Sequence, residues 1–260
     1  MLFHGLEGCS GSHYAHALMD AAARRACRAV VVHFRGCGGS PNRLPRAYHS
    51  GDSAEIDWML RQLRGLHEGP IHVVGVSLGG NAVLKWLGEQ RDEAGRVISK
   101  AAAVSAPVDL AAAGDALGRG FNLVYTRAFL ATLKAKSLAK LEQHPQLYDA
   151  ALVRRAGTLR AFDDVVTAPL HGFRDADDYW TRASAKPWLR AITVPTLLLN
   201  ARNDPFLPEA ALPRADEVSP AVTAEFPAEG GHVGFVSAPF PGNLCWLPQR
   251  LLAFFEGSAP

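Results

Sequence analysis

Three residues that lie far apart in the sequence carry the side chains needed to cleave an acyl bond: Ser77, Asp204 and His232. A serine hydroxyl is a poor nucleophile at neutral pH, so it needs a base beside it, and histidine can accept its proton and return it to the leaving group. A carboxylate behind the histidine orients the imidazole and stabilises its cationic form. We therefore expect nucleophilic catalysis on an acyl group, provided that the fold brings the three side chains together.

The sequence around Ser77 is typical of a tight turn between a strand and a helix. Residues 75–79 (GVSLG) follow an apolar run at residues 71–74 and precede a helix-like stretch at residues 80–89. A serine on such a turn takes strained backbone angles, and side chains at the two flanking glycines would clash. Its hydroxyl would stand at a helix N-terminus, where free N–H groups favour developing negative charge. The pattern predicts a nucleophile elbow.

Asp204 and His232 each follow a segment that is typical of a buried strand. Asp204 comes shortly after the apolar run at residues 193–200, and His232 comes after a strand-like run at residues 222–226. In an open parallel sheet the loops at the carboxyl ends of the strands share one edge, so both side chains can reach Ser77. The order serine, acid, histidine is also the chain order of one known class of triad.

Asp109 is a rival candidate for the acid, because it follows the strand-like run at residues 100–105. Some hydrolases with this chain order supply their acid from that position. The interval between Asp204 and His232, however, leaves room for one helix, predicted at residues 209–218, and one strand. We therefore favour Asp204 over Asp109.

The oxyanion that develops during attack on a carbonyl needs two hydrogen-bond donors. The nucleophile elbow supplies the backbone N–H of Leu78, and the second donor should come from the loop after an earlier strand. Residues 4–8 (HGLEG) form such a loop, and the backbone N–H of Leu6 is our candidate. We expect the His4 side chain to brace this loop by hydrogen bonding.

Strand-like and helix-like segments alternate along the chain, which indicates an α/β fold with a mostly parallel sheet. Strands are predicted at residues 29–34, 71–75, 100–105, 193–200 and 222–226, and helices at residues 13–25, 53–66, 80–89 and 244–255. The interval of about 110–189 is too long for one crossover helix, so we interpret it as a cap inserted over the site. Residues 1–260 then form a single domain.

The predicted cap contains a long helix-like segment at residues 121–141, in which leucines recur at helical spacing with lysines between them. One interpretation is a lipid-facing amphipathic helix that admits acyl chains or touches a membrane surface. The interpretation that we favour is a helix packed on the core with its lysines in water. Peripheral membrane contact is therefore kept as a hypothesis.

Composition argues against several other classes of protein. The chain has 260 residues, of which 48% are hydrophobic and 20% charged, as in an ordinary soluble enzyme domain. A formal net charge of +2 with scattered basic residues does not suggest nucleic-acid binding. The histidines form no zinc-binding pattern and the glycines no phosphate-binding loop, so neither a metal nor an organic cofactor is expected. No apolar stretch of membrane-spanning length and no signal-peptide pattern occurs, so a cytoplasmic location is expected.

Five short motifs together make the chain resemble the AB hydrolase 4 family, a group that includes YheT-like bacterial α/β hydrolases. The motifs are HGLEG at residues 4–8, FRGCG at 34–38, GVSLGGN at 75–81, NDP at 203–205 and HVGF at 232–235, and residues 158–184 are similar to the family's cap. The resemblance covers nearly the whole chain. It implies an α/β-hydrolase fold, the Ser77, Asp204 and His232 triad, and hydrolysis of short-chain esters or acylglycerols.

Two features depart from the family pattern. His33 stands where asparagine is expected, and only three residues precede the loop that begins at His4. The family carries two or more strands before that loop. We therefore expect that N-terminal strands are missing from this sequence and that Met1 is internal to a longer protein.

The triad residues leave open what happens to the acyl group. An acyltransferase or a thioesterase would use the same three side chains, with an acceptor other than water or with a thioester as the donor. A catalytically silent protein that uses the fold to bind a ligand is a third possibility. Ester hydrolysis is the interpretation that we favour.

Overall fold

A six-stranded parallel β-sheet runs through the centre of the computed structural model, which describes residues 1–257. The strands are β1 (Leu2–Phe3), β2 (Val31–Val32), β3 (His72–Val76), β4 (Lys100–Val104), β5 (Thr196–Leu199) and β6 (Val222–Glu225). They lie in the order β2-β1-β3-β4-β5-β6, and every neighbouring pair is parallel. The loops after β3, β5 and β6 therefore leave the sheet at the same edge, as the sequence analysis expects.

Ten α-helices surround the sheet or extend from it within residues 1–257. They are α1 (His13–Arg24), α2 (Ser53–Leu66), α3 (Leu78–Gln90), α4 (Leu110–Leu117), α5 (Leu123–Gln143), α6 (Ala150–Arg155), α7 (Leu159–Phe162), α8 (Ala168–His171), α9 (Ala176–Ala183) and α10 (Trp246–Glu256). Neither these helices nor any other in that range is long and apolar enough to cross a membrane.

Alternate residues of the central strands enter two separate cores, because successive side chains of a strand point to opposite faces. In β3, Val73 packs with α2 and α3 on one face, whereas Val74 packs with α1 and α10 on the other. In β5, Leu198 and Leu199 divide in the same way. Burial on both faces explains why these strands read as continuous apolar runs in the sequence.

Helices α4 to α9 form an insertion between β4 and β5, within the interval of about 110–189 that we interpret as a cap from the sequence. The insertion has two small apolar clusters of its own. One of them holds Leu130 of α5 against Val153 of α6 and Phe162 of α7. Because each cluster is small, the insertion also depends on its contacts with the sheet domain.

One expectation about local structure is wrong, and a second is incomplete. The segment at residues 209–218 is not one helix but two 3₁₀ turns, Glu209–Ala211 and Ala215–Glu217, because Pro213 holds the preceding Leu212 in an extended conformation. The lysines of α5 do not simply point into water. Lys136 pairs with Glu7, and Lys140 donates to the carbonyl oxygens of a loop of the sheet domain.

Candidate active site

Ser77 lies on a sharp turn between the end of β3 and the start of α3. Its φ of +52° and ψ of −119° are strained for a residue with a side chain. The flanking glycines have no room for one: a Cβ on Gly75 would lie 2.5 Å from the carbonyl oxygen of Gly79, and a Cβ on Gly79 would lie 2.6 Å from the carbonyl oxygens of Phe3 and His4. The turn therefore has the geometry of the predicted nucleophile elbow.

The imidazole of His232 lies between Ser77 and Asp204 and contacts both. Its Nε2 is 2.9 Å from Ser77 Oγ, and its Nδ1 is 3.0 and 3.1 Å from the two carboxylate oxygens of Asp204. With a proton on Nδ1, the ring donates to the carboxylate and its Nε2 is free to accept the serine proton. The Asp204 side chain is completely buried and also accepts a hydrogen bond from the Phe206 N–H at 2.8 Å. The three residues singled out in the sequence are thus brought into one chain of hydrogen bonds.

Asp109, the rival acid, lies elsewhere. Its side chain caps the N-terminus of α4 and accepts a hydrogen bond from the Ala112 N–H at 3.1 Å. Aspartate is a preferred residue at helix N-termini for this reason. The structure therefore brings Asp204 to His232 and leaves Asp109 in a capping role.

The loop that bears Asp204 and the loop that bears His232 are fastened to each other. The Asn203 side chain accepts a hydrogen bond from the Gly231 N–H at 2.8 Å, and the Phe206 ring packs against the imidazole with 4.2 Å between ring centroids. Both contacts restrict the positions that His232 can take. In the sequence Asn203 stands out only as part of a motif, and no local pattern predicts a role for Phe206.

The predicted oxyanion loop lies directly against the elbow. A Cβ on Gly5 would be 3.1 Å from Ser77 Cβ, so the chain passes as close to the serine as a glycine permits. In residues 1–257 neither Leu6 nor Leu78 donates its backbone N–H to a backbone carbonyl. Both N–H groups therefore remain available to a substrate oxygen.

His4 braces this loop, as the sequence analysis expects. The side chain is fully buried, its Nδ1 contacts the Gly5 carbonyl at 2.8 Å, and its Nε2 accepts a hydrogen bond from the Phe34 N–H at 3.1 Å. Burial lowers the pKa of His4, which favours the neutral ring that this donor and acceptor pattern requires. His4 thus ties the loop to the chain that follows β2.

Glu7 connects the same loop to the insertion. Its carboxylate is largely buried, accepts a hydrogen bond from the Tyr48 hydroxyl at 2.8 Å, and pairs with Lys136 of α5 at 2.8 Å. Its backbone N–H donates to Tyr48 Oη at 2.9 Å. The lysine that the sequence analysis assigns to water is therefore part of the support for the oxyanion loop.

Asn81 joins the start of α3 to the end of the insertion. The side chain is fully buried and makes three hydrogen bonds: it donates to the carbonyls of Ser50 and Ala183 at 2.8 and 2.9 Å and accepts from the Ala185 N–H at 2.9 Å. One amide therefore satisfies three backbone groups from two distant segments. In the sequence, its position four residues after Ser77 is the only available signal of this role.

A cavity of about 280 Å³ opens beside Ser77 and His232, between the sheet domain and the insertion. Most of its wall is apolar, and the contributing side chains include Leu6, Leu117 and Phe206. Such a wall suits an acyl chain. Among the described residues, no group of three or more histidine, cysteine, aspartate or glutamate side chains is arranged to hold a metal ion.

Comparison with known proteins bears on the family and the fold of the chain. A family model described as the alpha/beta hydrolase fold matches residues 1–239. The chain is 39% identical over 254 residues to YheT of Escherichia coli strain K12, whose name carries the word esterase, and the match covers 96% of this chain and 74% of YheT. It is 29% identical over 262 residues to the mouse phospholipase ABHD3, covering 98% of this chain but only 62% of that protein.

A solved structure shows the same fold. Est1E from Butyrivibrio proteoclasticus, in a complex with ferulic acid, aligns with a TM-score of 0.61 at 16% sequence identity, over 99% of this chain and 87% of Est1E. At this level of identity the likeness shows the fold alone. The match of the family model over most of the chain and the identity to YheT carry the assignment. The chain belongs to the α/β hydrolase family and, within it, to the YheT-like AB hydrolase 4 family.

Proposed function

We propose that this protein is a serine hydrolase that cleaves carboxylic esters through an acyl-enzyme. The observation that carries the proposal is the position of His232, which contacts Ser77 Oγ at 2.9 Å and the buried carboxylate of Asp204 at 3.0 Å. Relatives whose names include esterase and phospholipase support an ester as the substrate. Short-chain esters and acylglycerols are the proposed substrate classes.

In the first half of the reaction, Ser77 Oγ attacks the ester carbonyl while its proton passes to His232 Nε2. The N–H groups of Leu6 and Leu78 stabilise the negative oxygen of the tetrahedral intermediate. The intermediate collapses when the carbon–oxygen bond to the alcohol breaks and the alcohol takes the proton from His232. The acyl group is then bound to Ser77.

In the second half, a water molecule takes the place of the alcohol. His232 removes its proton, the hydroxyl attacks the acyl-enzyme, and the carboxylic acid leaves as the proton returns to Ser77. Asp204 keeps the imidazole oriented and stabilises its cationic form in both halves. The insertion, proposed as a cap at about residues 110–189, would choose among substrates because it supplies much of the cavity wall.

The test is labelling with a fluorophosphonate, followed by mapping of the modified peptide and by ester hydrolysis assays. We expect labelling at Ser77, no labelling in Ser77→Ala, and a loss of hydrolysis on the order of 10⁴- to 10⁶-fold in that variant, because the triad acts as a unit. The matched control is Ser99→Ala, which changes an exposed serine just before β4, at the opposite end of the sheet. Near-normal turnover by Ser77→Ala would contradict the mechanism.

The same assays separate ester hydrolysis from the other two functions. A thioesterase would prefer thioesters to esters of the same acid. An acyltransferase would be labelled and acylated at Ser77, but it would turn over only when an alcohol or amine is added to accept the acyl group. A silent binding protein would show neither labelling nor turnover in its folded state.

A further inference from the structure

Asp163 is a carboxylate in the wall of the cavity that also exposes Ser77 and His232. It is the first residue of a π-helical turn in the insertion, Asp163–Thr167, and its neighbours Phe162 and Val166 are buried apolar residues. The residue is only partly buried, so part of its surface is accessible. Because Asp163 lines the cavity, we assign that accessible surface to the cavity.

Two neutral donors hold the carboxylate. The Trp180 Nε1–H donates to Oδ2 at 2.8 Å, and the Thr167 hydroxyl donates to Oδ1 at 2.6 Å. An ionised carboxylate has about four sites for hydrogen bonds, so about two remain. Within residues 1–257 no lysine, arginine or histidine forms an ion pair with Asp163. The remaining acceptor sites are open to a molecule in the cavity.

An unpaired carboxylate in an apolar wall reduces stability unless a donor satisfies it. Burial raises the pKa of Asp163 to about 6, so most of the population is still ionised at neutral pH. Its surroundings also restrict which donor is suitable. Of the cations in the cavity wall, Arg35 pairs with Glu55 and Lys136 with Glu7. Lys140 has no carboxylate partner within residues 1–257, and its charge disfavours a positively charged ligand group.

A neutral hydroxyl group is therefore a better donor to the free acceptor sites of Asp163 than an ammonium group. The acyl chain of a simple ester has no hydrogen-bond donor, whereas the alcohol portion of a glycerol ester retains free hydroxyl groups. We propose that Asp163 is a specificity-determining residue whose carboxylate accepts a hydrogen bond from a free hydroxyl of the alcohol portion, so that the enzyme prefers esters of polyols to alkyl esters of the same acid. This inference rests on the proposed ester hydrolysis.

The test compares kcat/KM for glycerol monobutyrate and propyl butyrate, two esters of one acid that differ in the hydroxyl groups of the alcohol. We expect Asp163→Asn to reduce the preference for the glycerol ester by about tenfold or more, the effect of losing a hydrogen bond to a charged group. Activity on propyl butyrate, whose alcohol has no free hydroxyl group, should fall by a clearly smaller factor. The matched control is Asp177→Asn, which alters an exposed aspartate of α9 and should leave the preference unchanged.

A second measurement needs no variant. In the unaltered protein, the preference for the glycerol ester should increase as the pH rises through about 6, because ionised Asp163 is the stronger acceptor. Asp163→Asn should remove that pH dependence of the ratio. Because both substrates pass through the same triad, pH effects on the shared chemistry cancel in the ratio.

The outcomes distinguish the two proposals. An equal loss on both esters in Asp163→Asn, or a ratio that does not change with pH, would mean that Asp163 only supports Trp180 and Thr167, and the specificity proposal would be wrong. If neither ester is hydrolysed and fluorophosphonate leaves Ser77 unmodified, ester hydrolysis itself is contradicted.

Discussion

At the scale of single residues, the proposed site depends on the close approach of backbone segments as much as on the three side chains of the proposed triad. Gly79 lies so near the end of β1 that a methyl group there would overlap the carbonyl oxygens of Phe3 and His4. Gly65, near the end of α2, has no atom within 4 Å of the position that its Cβ would take. Substitution of glycine by alanine should therefore have opposite effects on stability at the two positions.

We expect Gly79→Ala to lower the free energy of unfolding by several kcal/mol and to abolish most activity, because the elbow and the oxyanion loop must move apart. Gly65→Ala should instead raise the free energy of unfolding by about 0.5–1 kcal/mol, since alanine favours helix and nothing obstructs it. Urea denaturation of both variants, with an ester hydrolysis assay, measures the contrast. Equal effects at the two positions would show that crowding at Gly79 is unimportant.

The residues of the triad are recognisable in the sequence because each lies beside a strong local signal, such as GVSLG around Ser77 or the apolar run before Asp204. Asp163 has no such signal. Its environment is made by Trp180 and by the docking of the insertion on the sheet domain, for example where the Ser50 N–H donates to Tyr179 Oη at 2.9 Å. Contacts across 129 positions of sequence cannot be derived from local pattern.

At the scale of elements, the sequence pattern predicts the position of helices and strands well wherever one periodicity continues without interruption. Helix α2 (Ser53–Leu66) has its predicted bounds, and β4 (Lys100–Val104) ends one residue before its predicted end. The pattern fails at residues 209–218, where Pro213 prevents a continuous helix. It also misses the role of the α5 lysines, because their partners belong to distant loops.

Asn81 is the residue on which the junction between α3 and the insertion depends most directly. We expect Asn81→Ala to lower the free energy of unfolding by about 3 kcal/mol, because it leaves the buried backbone groups of Ser50, Ala183 and Ala185 without their partner. Urea denaturation provides the measurement.

The control for this prediction is Asn122→Ala. Its side chain donates to the carbonyls of Ala116 and Pro205, but it is partly exposed, so water can replace the lost contacts. We expect a cost below about 1 kcal/mol. A similar cost for both variants would contradict a special role for the junction at Asn81.

At the scale of the whole molecule, a buried histidine and a partly buried one lie where the insertion meets the sheet domain. His49 belongs to the sheet domain and His171 to α8, and their ring centroids are 4.4 Å apart. Burial lowers the pKa of His49 to about 3 and that of His171 to about 4, and the positive charge of Arg46 contributes to both shifts. Each ring is therefore neutral in the folded protein at pH values where the unfolded chain is already protonated.

The sign of the pH effect follows from that difference. Below about pH 6.5 the unfolded chain binds protons at both histidines and the folded protein does not, so stability falls as the pH falls. Between about pH 7.5 and about pH 5.5 the two residues together should reduce the free energy of unfolding by about 3 kcal/mol. Urea denaturation at the two pH values measures this loss.

The double variant His49→Asn, His171→Asn should lose less stability over that interval than the unaltered protein, by about 3 kcal/mol. The double variant His13→Asn, His16→Asn is the control, because both residues are exposed on α1. If the two double variants have the same pH dependence, His49 and His171 are not the source of acid sensitivity.

The insertion also separates the serine from its partners along the chain. The turn at Ser77 is held by β4, since the Ser77 N–H donates to the Val104 carbonyl at 2.8 Å. Asp204 and His232 follow only after the whole of α4 to α9. During synthesis on the ribosome, Ser77 therefore emerges long before His232, and a growing chain cannot assemble the proposed triad until His232 has left the exit tunnel. The order of the sequence thus separates folding of the turn at Ser77 from completion of the proposed site.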